Sequence, residues 1–459
     1  MSTDARVAIV GGGIAGLAAA WELRDEAKVT VFEPGALGGK IRTTEFDGRP
    51  VDEGPDAFLT RVPAAVDLCE ELGLSDELVA PAAGRTLLWV NGRCRPLPEG
   101  LVLGVPKRLV PIAASGLLSP RGMIRAAGDL ILPVSPSPGD VSVGDLISRR
   151  FGAEVAHRLV EPLVGGIHAA PIDDLSSAAV VPQLLAAARR SRSLLRALKL
   201  QAAGPGGGPM FLTPRSGLGR LVQRLAEGLA QAGVVIDKRA VDTVAPLGTG
   251  GVSIDGAAFD GVVLAVGANE AARLLGALAP VDLGATTTSV ALLTMAFAAA
   301  DLPVPDGING ILVPPDEGRL MTALSFGSNK WPQWAQPGRV VVRVSSGRHG
   351  DQRSAAMGDE ALVGALAREL GEALGVPGAA PAAWRVSRWP NAFPLYRVGH
   401  LERVAAVTAT LASSAPGVTL AGGSYHGAGL PACIASGRRA ARSLLTRSAP
   451  GTQPRPTPA

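Results

Sequence analysis

The sequence is poor in the residues that build metal centres and disulfide frameworks. Its 459 residues include three cysteines, Cys69, Cys94 and Cys433, and five histidines. The cysteines are odd in number and far apart, and the histidines show no metal-ligand spacing, so no metal site or disulfide is predicted. G-x-S-x-G and paired-cysteine motifs are also missing. This scarcity of catalytic side chains favours a reaction that is carried by a cofactor.

Long apolar runs and a strong excess of charge are missing too. No uninterrupted apolar run reaches the ~18 residues of a membrane span, and the start, MSTDARVAIVGGG, enters an apolar strand almost at once. A net charge of +4 argues against nucleic acid as the main partner. With 47% hydrophobic and 18% charged residues, we expect a globular protein of two or three domains. We expect it to be cytoplasmic, with at most peripheral contact at the inner face of the cell membrane.

The stretch from Val7 to Glu33 is the most informative part of the chain. An apolar strand is followed by Gly11, Gly13 and Gly16 at G-x-G-x-x-G spacing, then by an Ala-rich helical run and a second apolar strand that ends at Glu33. These glycines permit a tight turn, a close approach of a pyrophosphate to the backbone, and close packing of helix on strand. The acid lies where a carboxylate accepts hydrogen bonds from an adenosine ribose. The pattern predicts a dinucleotide-binding Rossmann unit.

A second glycine pair identifies the dinucleotide. A second close contact with the same pyrophosphate is suited by Gly38, Gly39 and Lys40. A nicotinamide site does not need this second contact. With the block 51–58 and the C-terminal run 418–430, these three residues resemble the flavin-containing amine oxidase superfamily. Within it, GPDAF, EPLVGGIHAAPIDDLS and AGGSYHGAGLPACIASGRRAA are similar to the oxygen-dependent porphyrinogen oxidases of haem biosynthesis. The resemblance covers about residues 5–446 and favours the soluble branch that acts on coproporphyrinogen III.

The resemblance implies FAD as the cofactor and a set of residues that hold it. Val241 is included only because it matches a position that contacts adenine through its backbone, and its own pattern indicates a short strand over 240–244. The turn before the last helical run would direct a helix N-terminus at the flavin, where a positive dipole stabilises reduced flavin. The full set is Gly11, Gly12, Gly13, Ile14, Ala15, Gly16, Glu33, Pro34, Lys40, Gly54, Pro55, Asp56, Ala57, Val241, Ala428, Gly429 and Leu430.

The resemblance also implies five substrate-binding residues. Arg85 is similar to a group that pairs with a substrate propionate, and Arg343 stands where some relatives have an apolar residue facing the substrate. Leu163 and Gly166 match the pocket wall beside the porphyrinogen ring, and Leu312 matches an apolar residue that sandwiches a pyrrole. For each arginine the alternative is a surface salt bridge.

The implied activity is a six-electron oxidation with the flavin as the only catalytic group. Oxygen reoxidises the flavin in each of three rounds and yields hydrogen peroxide. Arg343 adds a cation and no membrane span is present, so we predict coproporphyrinogen III, with four propionates, as the substrate. Transient handover of the product to a ferrochelatase is a further expectation. Protoporphyrinogen oxidase, another flavin amine oxidase or desaturase, an NAD-dependent dehydrogenase and a non-catalytic tetrapyrrole carrier remain alternatives.

The fold class predicted is α/β, with a Rossmann-type FAD-binding domain, a mixed-sheet substrate domain and a helical subdomain for substrate or membrane contact. Helices are predicted over 143–163, 184–201 and 359–374, and a hairpin over 86–97 with its turn at Asn91-Gly92. The domain boundaries are 1–62, 210–275 and 411–447 for FAD binding, 63–100 and 276–410 for substrate, and 101–201 for the helical subdomain. Residues 202–209 read as a flexible link and 448–459 as a disordered tail.

Overall fold

The computed structural model of the chain describes residues 4–132, 139–200, 208–248, 251–276 and 286–447. The tail 448–459 and residues 202–207 of the predicted link lie outside these ranges. Among the helices of the described ranges, none combines the length and apolar character that a membrane crossing requires. The α/β class is confirmed, with one parallel and one mixed sheet as the two largest.

The parallel sheet has five strands. Most residues of its three central strands are buried, as expected for a parallel sheet that is covered on both faces. The strand order brings the two ends and the middle of the chain together, which is the arrangement predicted for a Rossmann unit with a C-terminal return. In spatial order the strands are Val235–Asp237, Lys28–Phe32, Arg6–Val10, Gly261–Leu264 and Val418–Leu420.

Helices Ile14–Leu23, Gly219–Gln231 and Leu430–Arg447 contribute to the hydrophobic core on one face of the parallel sheet. A Cβ on Gly437 would lie only 2.0 Å from the carbonyl oxygen of Ala15. The first and last of these helices therefore pack with their backbones in close contact. This packing carries the segment before the last helix to the glycine-rich loop.

The mixed sheet has seven strands. Helix Asp359–Leu374 has the bounds predicted from the sequence and packs on one face, where it meets Val342 and Val344. By alternation, Arg343 and Ser345 lie on the opposite face. The predicted hairpin is also confirmed. In spatial order the strands are Ala383–Pro394, Thr287–Ala298, Arg339–Ser346, Met321–Phe326, Ile308–Leu312, Arg85–Val90 and Arg93–Pro96.

A region of short helices packs against the end of the mixed sheet, and its core includes Leu88, with Leu312 packed against it. Its helices are Leu109–Ser115, Pro120–Ala127, Val143–Phe151, Ala153–Val155, Ala156–Gly165, Gly166–His168, Ser177–Val180, Pro182–Arg190 and Leu194–Leu200. Outside this region, the remaining α-helices of the described ranges are Ala64–Glu71, Ala268–Leu275, Gly327–Lys330, Arg353–Ala356 and His400–Ser414. The short strands there are Thr43–Phe46, Arg49–Asp52, Phe58–Leu59, Leu78–Val79, Leu101–Val102, Val105–Pro106, Phe211–Pro214, Val244–Pro246, Val252–Ile254 and Ala257–Phe259.

The single helix predicted over 143–163 is wrong. The helix Val143–Phe151 ends at Gly152, whose φ of +91° leaves the helical region. The chain then resumes and forms a π-helix over Ala156–Gly165 that contains Pro162. Proline has no N–H for the regular helical ladder, so the wider hydrogen-bonding pattern accommodates it locally.

The helix predicted over 184–201 is also divided, into Pro182–Arg190 and Leu194–Leu200. The buried carboxylate of Asp129 accepts hydrogen bonds from the Ser193 hydroxyl at 2.9 Å and from the Leu195 N–H at 2.8 Å. Asp129 thereby satisfies the amides at the start of the second helix, which a continuous helix would have paired internally.

Val241 does not lie in a strand, contrary to the prediction for 240–244; the strand begins at Val244. The carboxylate of Asp255 accepts the N–H groups of Asp242 at 3.0 Å and Thr243 at 2.8 Å. A side chain therefore takes the place of a neighbouring strand as the partner of this backbone.

Candidate active site

The glycine-rich loop follows the strand Arg6–Val10 and is shaped by contacts that only glycine permits. Gly11 has a φ of +105°, and a Cβ on Gly16 would lie 1.9 Å from the carbonyl oxygen of Gly11. A Cβ on Gly13 would meet nothing within 4 Å. Open space thus faces the first N–H groups of helix Ile14–Leu23, which have no intrahelical acceptor. This is a cradle for a pyrophosphate.

Glu33 is held beside the same loop. Its carboxylate accepts hydrogen bonds from the N–H of Gly12 and the N–H of Gly35, both at 2.8 Å. The side chain is half-buried at the end of the strand Lys28–Phe32. A carboxylate has further lone pairs beyond these two bonds, so Glu33 can also accept from ribose hydroxyls.

The second glycine pair lies directly against the first loop. Gly38 donates its N–H to the carbonyl of Gly12 at 2.8 Å and forms a bridge with Gly13. Lys40 follows; its side chain is exposed within a cleft, where burial by the surrounding protein lowers its pKa and the Cys433 thiol partly opposes that shift. Lys40 therefore provides a cation directly after the second glycine pair, and its contact with the cofactor stays a prediction.

The segment Gly54–Ala57 is held by buried charges. Asp56 receives Lys330 Nζ at 2.9 Å and the Trp331 indole N–H at 2.9 Å, and Arg343 lies 3.4 Å away. Burial raises the pKa of Asp56, but Lys330 and Arg343 outweigh it and lower the pKa to about 2. Asp56 is therefore an anion that fixes this segment against the mixed sheet.

The predicted residues at the C-terminal side lie in the turn before helix Leu430–Arg447. Leu430 is buried and Gly429 is exposed; the carbonyl of Gly429 accepts the N–H of Cys433 at 2.9 Å. The carbonyl of Val241 already accepts a hydrogen bond from Arg273 at 3.0 Å. The arrangement offers glycine backbone, a helix N-terminus and one carboxylate, and these groups fit FAD without any metal ligand.

A cavity of about 90 Å³ lies where the helical segment 156–168 meets the mixed sheet. Gly166 lines it, and a Cβ there would meet nothing within 4 Å. The other four predicted substrate residues are not among its lining. The cavity is lined by Glu161, Pro162, Gly165, Gly166, Ala169, Ala170, Val290, Leu292, Val313, Pro315, Thr322, Ser345, Gly347, Arg348 and Phe393.

Those four residues lie on four different elements. Leu312 packs against the helical core, and Leu163 is half-buried in the π-helix. Arg85 is exposed at the start of its strand. Arg343 is buried, donates to the carbonyl of Gly54 and pairs with Asp56. Their roles in substrate binding stay predictions, and the contacts of Arg343 favour a structural role.

Sequence reasoning missed two charged residues of the cavity, Glu161 and Arg348. Glu161 is buried and accepts the N–H of Ile172 at 3.0 Å; burial raises its pKa to about 6. Burial also lowers the pKa of Arg348, against the opposing effect of Asp351 and Glu161. Glu161 opens the run EPLVGGIHAAPIDDLS, but nothing in the sequence connects it with Arg348, because the two residues meet only through the packing of two distant segments.

Several curated proteins are similar to this chain over nearly its whole length. It is 32% identical to a coproporphyrinogen III oxidase of Bacillus subtilis (strain 168), covering 96% of this chain and 98% of the relative. It is 35% identical to a coproporphyrinogen III oxidase of Propionibacterium freudenreichii subsp. freudenreichii, covering 99% and 93%. A protoporphyrinogen oxidase of Bos taurus is 30% identical over 98% and 99%.

Solved structures agree on the fold. A crystal structure from Exiguobacterium sp. 255-15 superposes with a TM-score of 0.87 at 29% identity and covers 98% of this chain and 100% of that one. A putrescine oxidase mutant superposes with a TM-score of 0.68 at 17% identity, over 98% and 100%, and supports the fold alone. The family model of flavin containing amine oxidoreductases matches residues 14–445. The chain therefore belongs to the flavin containing amine oxidoreductase family and is an FAD-dependent oxidoreductase.

Proposed function

We propose that the protein oxidises coproporphyrinogen III to coproporphyrin III in haem biosynthesis, with oxygen as the acceptor and hydrogen peroxide as the second product. The observation that carries this proposal is the near full-length similarity to coproporphyrinogen III oxidases, at 32% and 35% identity. Removal of six electrons and six protons converts the porphyrinogen to the porphyrin, so three molecules of oxygen give three of hydrogen peroxide.

The residues of this chain have binding and positioning roles in the reaction. When bound, FAD supplies the two-electron acceptor for each round. Gly11–Gly16, Gly38 and Glu33 would hold its adenosine and pyrophosphate, and the turn before helix Leu430–Arg447 would face its flavin end. Apolar residues such as Leu292 and Phe393 line the cavity beside Gly166.

A second candidate is protoporphyrinogen, since the Bos taurus relative at 30% identity is a protoporphyrinogen oxidase. The two substrates differ in charge, because protoporphyrinogen has two propionates and coproporphyrinogen has four. Each buried carboxylate needs a cation or solvent beside it. The presence of an arginine on the cavity wall favours the more acidic substrate.

The test is the ratio of kcat/KM for the two porphyrinogens, followed through porphyrin fluorescence in air and, as a control, without oxygen. We expect coproporphyrinogen III to be the better substrate by at least tenfold and hydrogen peroxide to form with it. Faster turnover of protoporphyrinogen by the wild type would contradict the substrate assignment. If neither porphyrinogen bleaches the bound flavin, the proposed reaction is wrong.

The location and the fate of the product are part of the same proposal. Exposed apolar side chains on two short helices, Val110 at 80% and Ile124 at 74% exposure, lie close in sequence to Arg108 and Arg121. A cytoplasmic protein with peripheral contact to an anionic membrane would use such a surface. Co-sedimentation with phosphatidylglycerol vesicles tests the contact, and a Val110→Ser/Ile124→Ser variant that sediments as well as the wild type would contradict it. Mixing with a ferrochelatase would test handover of the product.

A further inference from the structure

The lining of the cavity beside Gly166 includes one cation, Arg348, on which the carboxyl groups of Asp351 and Glu161 act only from beyond ion-pair distance. Arg348 follows the strand Arg339–Ser346, and it is half-buried at the cavity wall. Within the described residues, its guanidinium makes no hydrogen bond and no ion pair. A partly desolvated guanidinium without a partner is costly, so its retention at this place points to an anionic ligand.

The position of Arg348 is fixed by its neighbours. Gly347 turns the chain with a φ of +102°, and a Cβ on it would lie 2.8 Å from the carbonyl oxygen of Ser289. The next residue, His349, donates its N–H to the carbonyl of Ala169 at 2.7 Å, and Asp351 donates its N–H to the carbonyl of Arg348 at 3.0 Å. The backbone on both sides is thus held in place, and within the described residues the side chain makes no hydrogen bond.

Arg343, five residues earlier and within the strand Arg339–Ser346, gives the contrast. Its guanidinium donates to the carbonyl of Gly54, pairs with Asp56 and lies 5.9 Å from the Trp334 ring centroid. It is 8% exposed and already pairs with a carboxylate of the protein, although its Nε makes no hydrogen bond within the described residues. Of these two arginines, Arg348 is the one available to an external anion.

The other walls indicate what kind of anion would bind. Leu292, Val313 and Phe393 give the cavity an apolar lining next to Arg348. Glu161 is the carboxyl group of the lining, and burial raises its pKa to about 6, so at neutral pH it is protonated more often than a surface glutamate. The volume of about 90 Å³ has room for several water molecules. A carboxylate arm on an apolar ring matches this combination better than a phosphate does.

We propose that Arg348 binds a propionate of the substrate and is a specificity-determining residue of this enzyme. The identity of the substrate rests on the function proposed above, but the recognition of a carboxylate by Arg348 can be tested by itself. A guanidinium binds a carboxylate through two parallel hydrogen bonds, which lysine cannot reproduce. The replacement Arg348→Lys should therefore retain only part of the affinity.

The test measures binding and turnover separately. Coproporphyrin III and its tetramethyl ester are titrated into wild type, Arg348→Gln and Arg348→Lys, with protein fluorescence as the readout. We expect Arg348→Gln to weaken binding of the acid at least tenfold and Arg348→Lys to weaken it less, with binding of the ester unchanged in both. KM for coproporphyrinogen III should rise by a similar factor while kcat changes less than twofold.

Arg368→Gln is the matched control, since Arg368 is exposed on the helix that covers the opposite face of the sheet. Flavin absorbance and Tm verify that all variants are folded. Equal affinity of wild type and Arg348→Gln for the acid would overturn the proposal, as would an equal loss for acid and ester. The titration requires no reaction, so it tests Arg348 independently of the proposed function. If the proposed function is wrong, the wild type will fail to turn over coproporphyrinogen III.

Discussion

Around Gly11–Gly16 the predicted binding surface is main chain, whereas around Gly166 and Arg348 the proposed one consists of side chains brought together from distant segments. In the first region, an added methyl group would collide with backbone at Gly11 and Gly16. In the second, an added methyl at Gly166 meets open space, and the chemistry depends on whether each charged side chain has a partner. A backbone site restricts residue identity strongly, and a side-chain cavity restricts it weakly at each position.

The largest effect is expected from Gly16→Ala. Its Cβ would lie 1.9 Å from the Gly11 carbonyl oxygen, so the helix must move away from the strand, at more than the ~1–3 kcal/mol usual for overpacking. We expect loss of flavin together with a large fall in Tm. In the matched variant Gly13→Ala the methyl has space, so Tm should hold while the flavin is lost. Full flavin content in purified Gly13→Ala would show that the pyrophosphate does not bind at this loop.

Gly166→Leu tests the cavity in the same way. Because the Cβ meets nothing within 4 Å, the protein should fold and retain flavin, while the larger side chain displaces the substrate. A displacement of this kind lowers kcat/KM by roughly 10²-fold. Gly358→Leu, on the remote helix cap, serves as the control. An unchanged kcat/KM in Gly166→Leu would exclude this wall from the substrate site.

The contrast explains what the sequence could predict. The loop at Gly11, the acid at Glu33 and the helix Asp359–Leu374 are local patterns with a direct physical cause, and the structure has each of them. The sequence could not show which of Arg343 and Arg348 pairs with an anion of the protein itself. That difference depends on Asp56, which lies more than 280 positions away along the chain. The break at Gly152 and the division near Ser193 likewise depend on tertiary partners.

Asp56→Asn should destabilise the junction between the two regions. It leaves Lys330 and Arg343 without their partly buried anion, which costs roughly 3 kcal/mol, at the lower end of the range for buried pairs. Because the folded pKa is lowered, to about 2, the contribution of Asp56 is present above the unfolded value of roughly 3.9 and is lost as the pH falls below it. Urea unfolding at pH 7, 5 and 3 should show the deficit shrinking at pH 3. A constant deficit would contradict the charge-based account.

Glu33→Ala should weaken FAD binding without altering the cavity. A hydrogen bond to a charged group contributes roughly 1.5–3 kcal/mol, or about a 10- to 150-fold change in Kd. Glu33→Gln keeps one acceptor for the N–H of Gly12 or Gly35 and should lose less. Flavin release is followed by absorbance during dialysis. Retention of full flavin by Glu33→Ala would place the ribose elsewhere.

The smallest effect, and one of opposite sign, is expected from Asp52→Asn. The buried carboxyl of Asp52 accepts hydrogen bonds from the Thr43 hydroxyl and, at 3.0 Å, from the Leu218 N–H, yet burial raises its pKa to about 6.

A raised carboxyl pKa means that folding favours the protonated form. The stabilising contribution of Asp52 is thus complete below roughly pH 3.9 and is lost as the pH rises through about 6. Asparagine keeps the same oxygen acceptor and never ionises, although its hydrogen bonds are weaker than those to a carboxylate, so the net gain at pH 8 should be about 1 kcal/mol. Urea unfolding of both proteins at pH 4 and pH 8 measures it. The variant should be more stable than the wild type at pH 8 only. If the variant instead loses stability relative to the wild type between pH 4 and pH 8, the ionised carboxylate of Asp52 stabilises the fold, as that of Asp56 does.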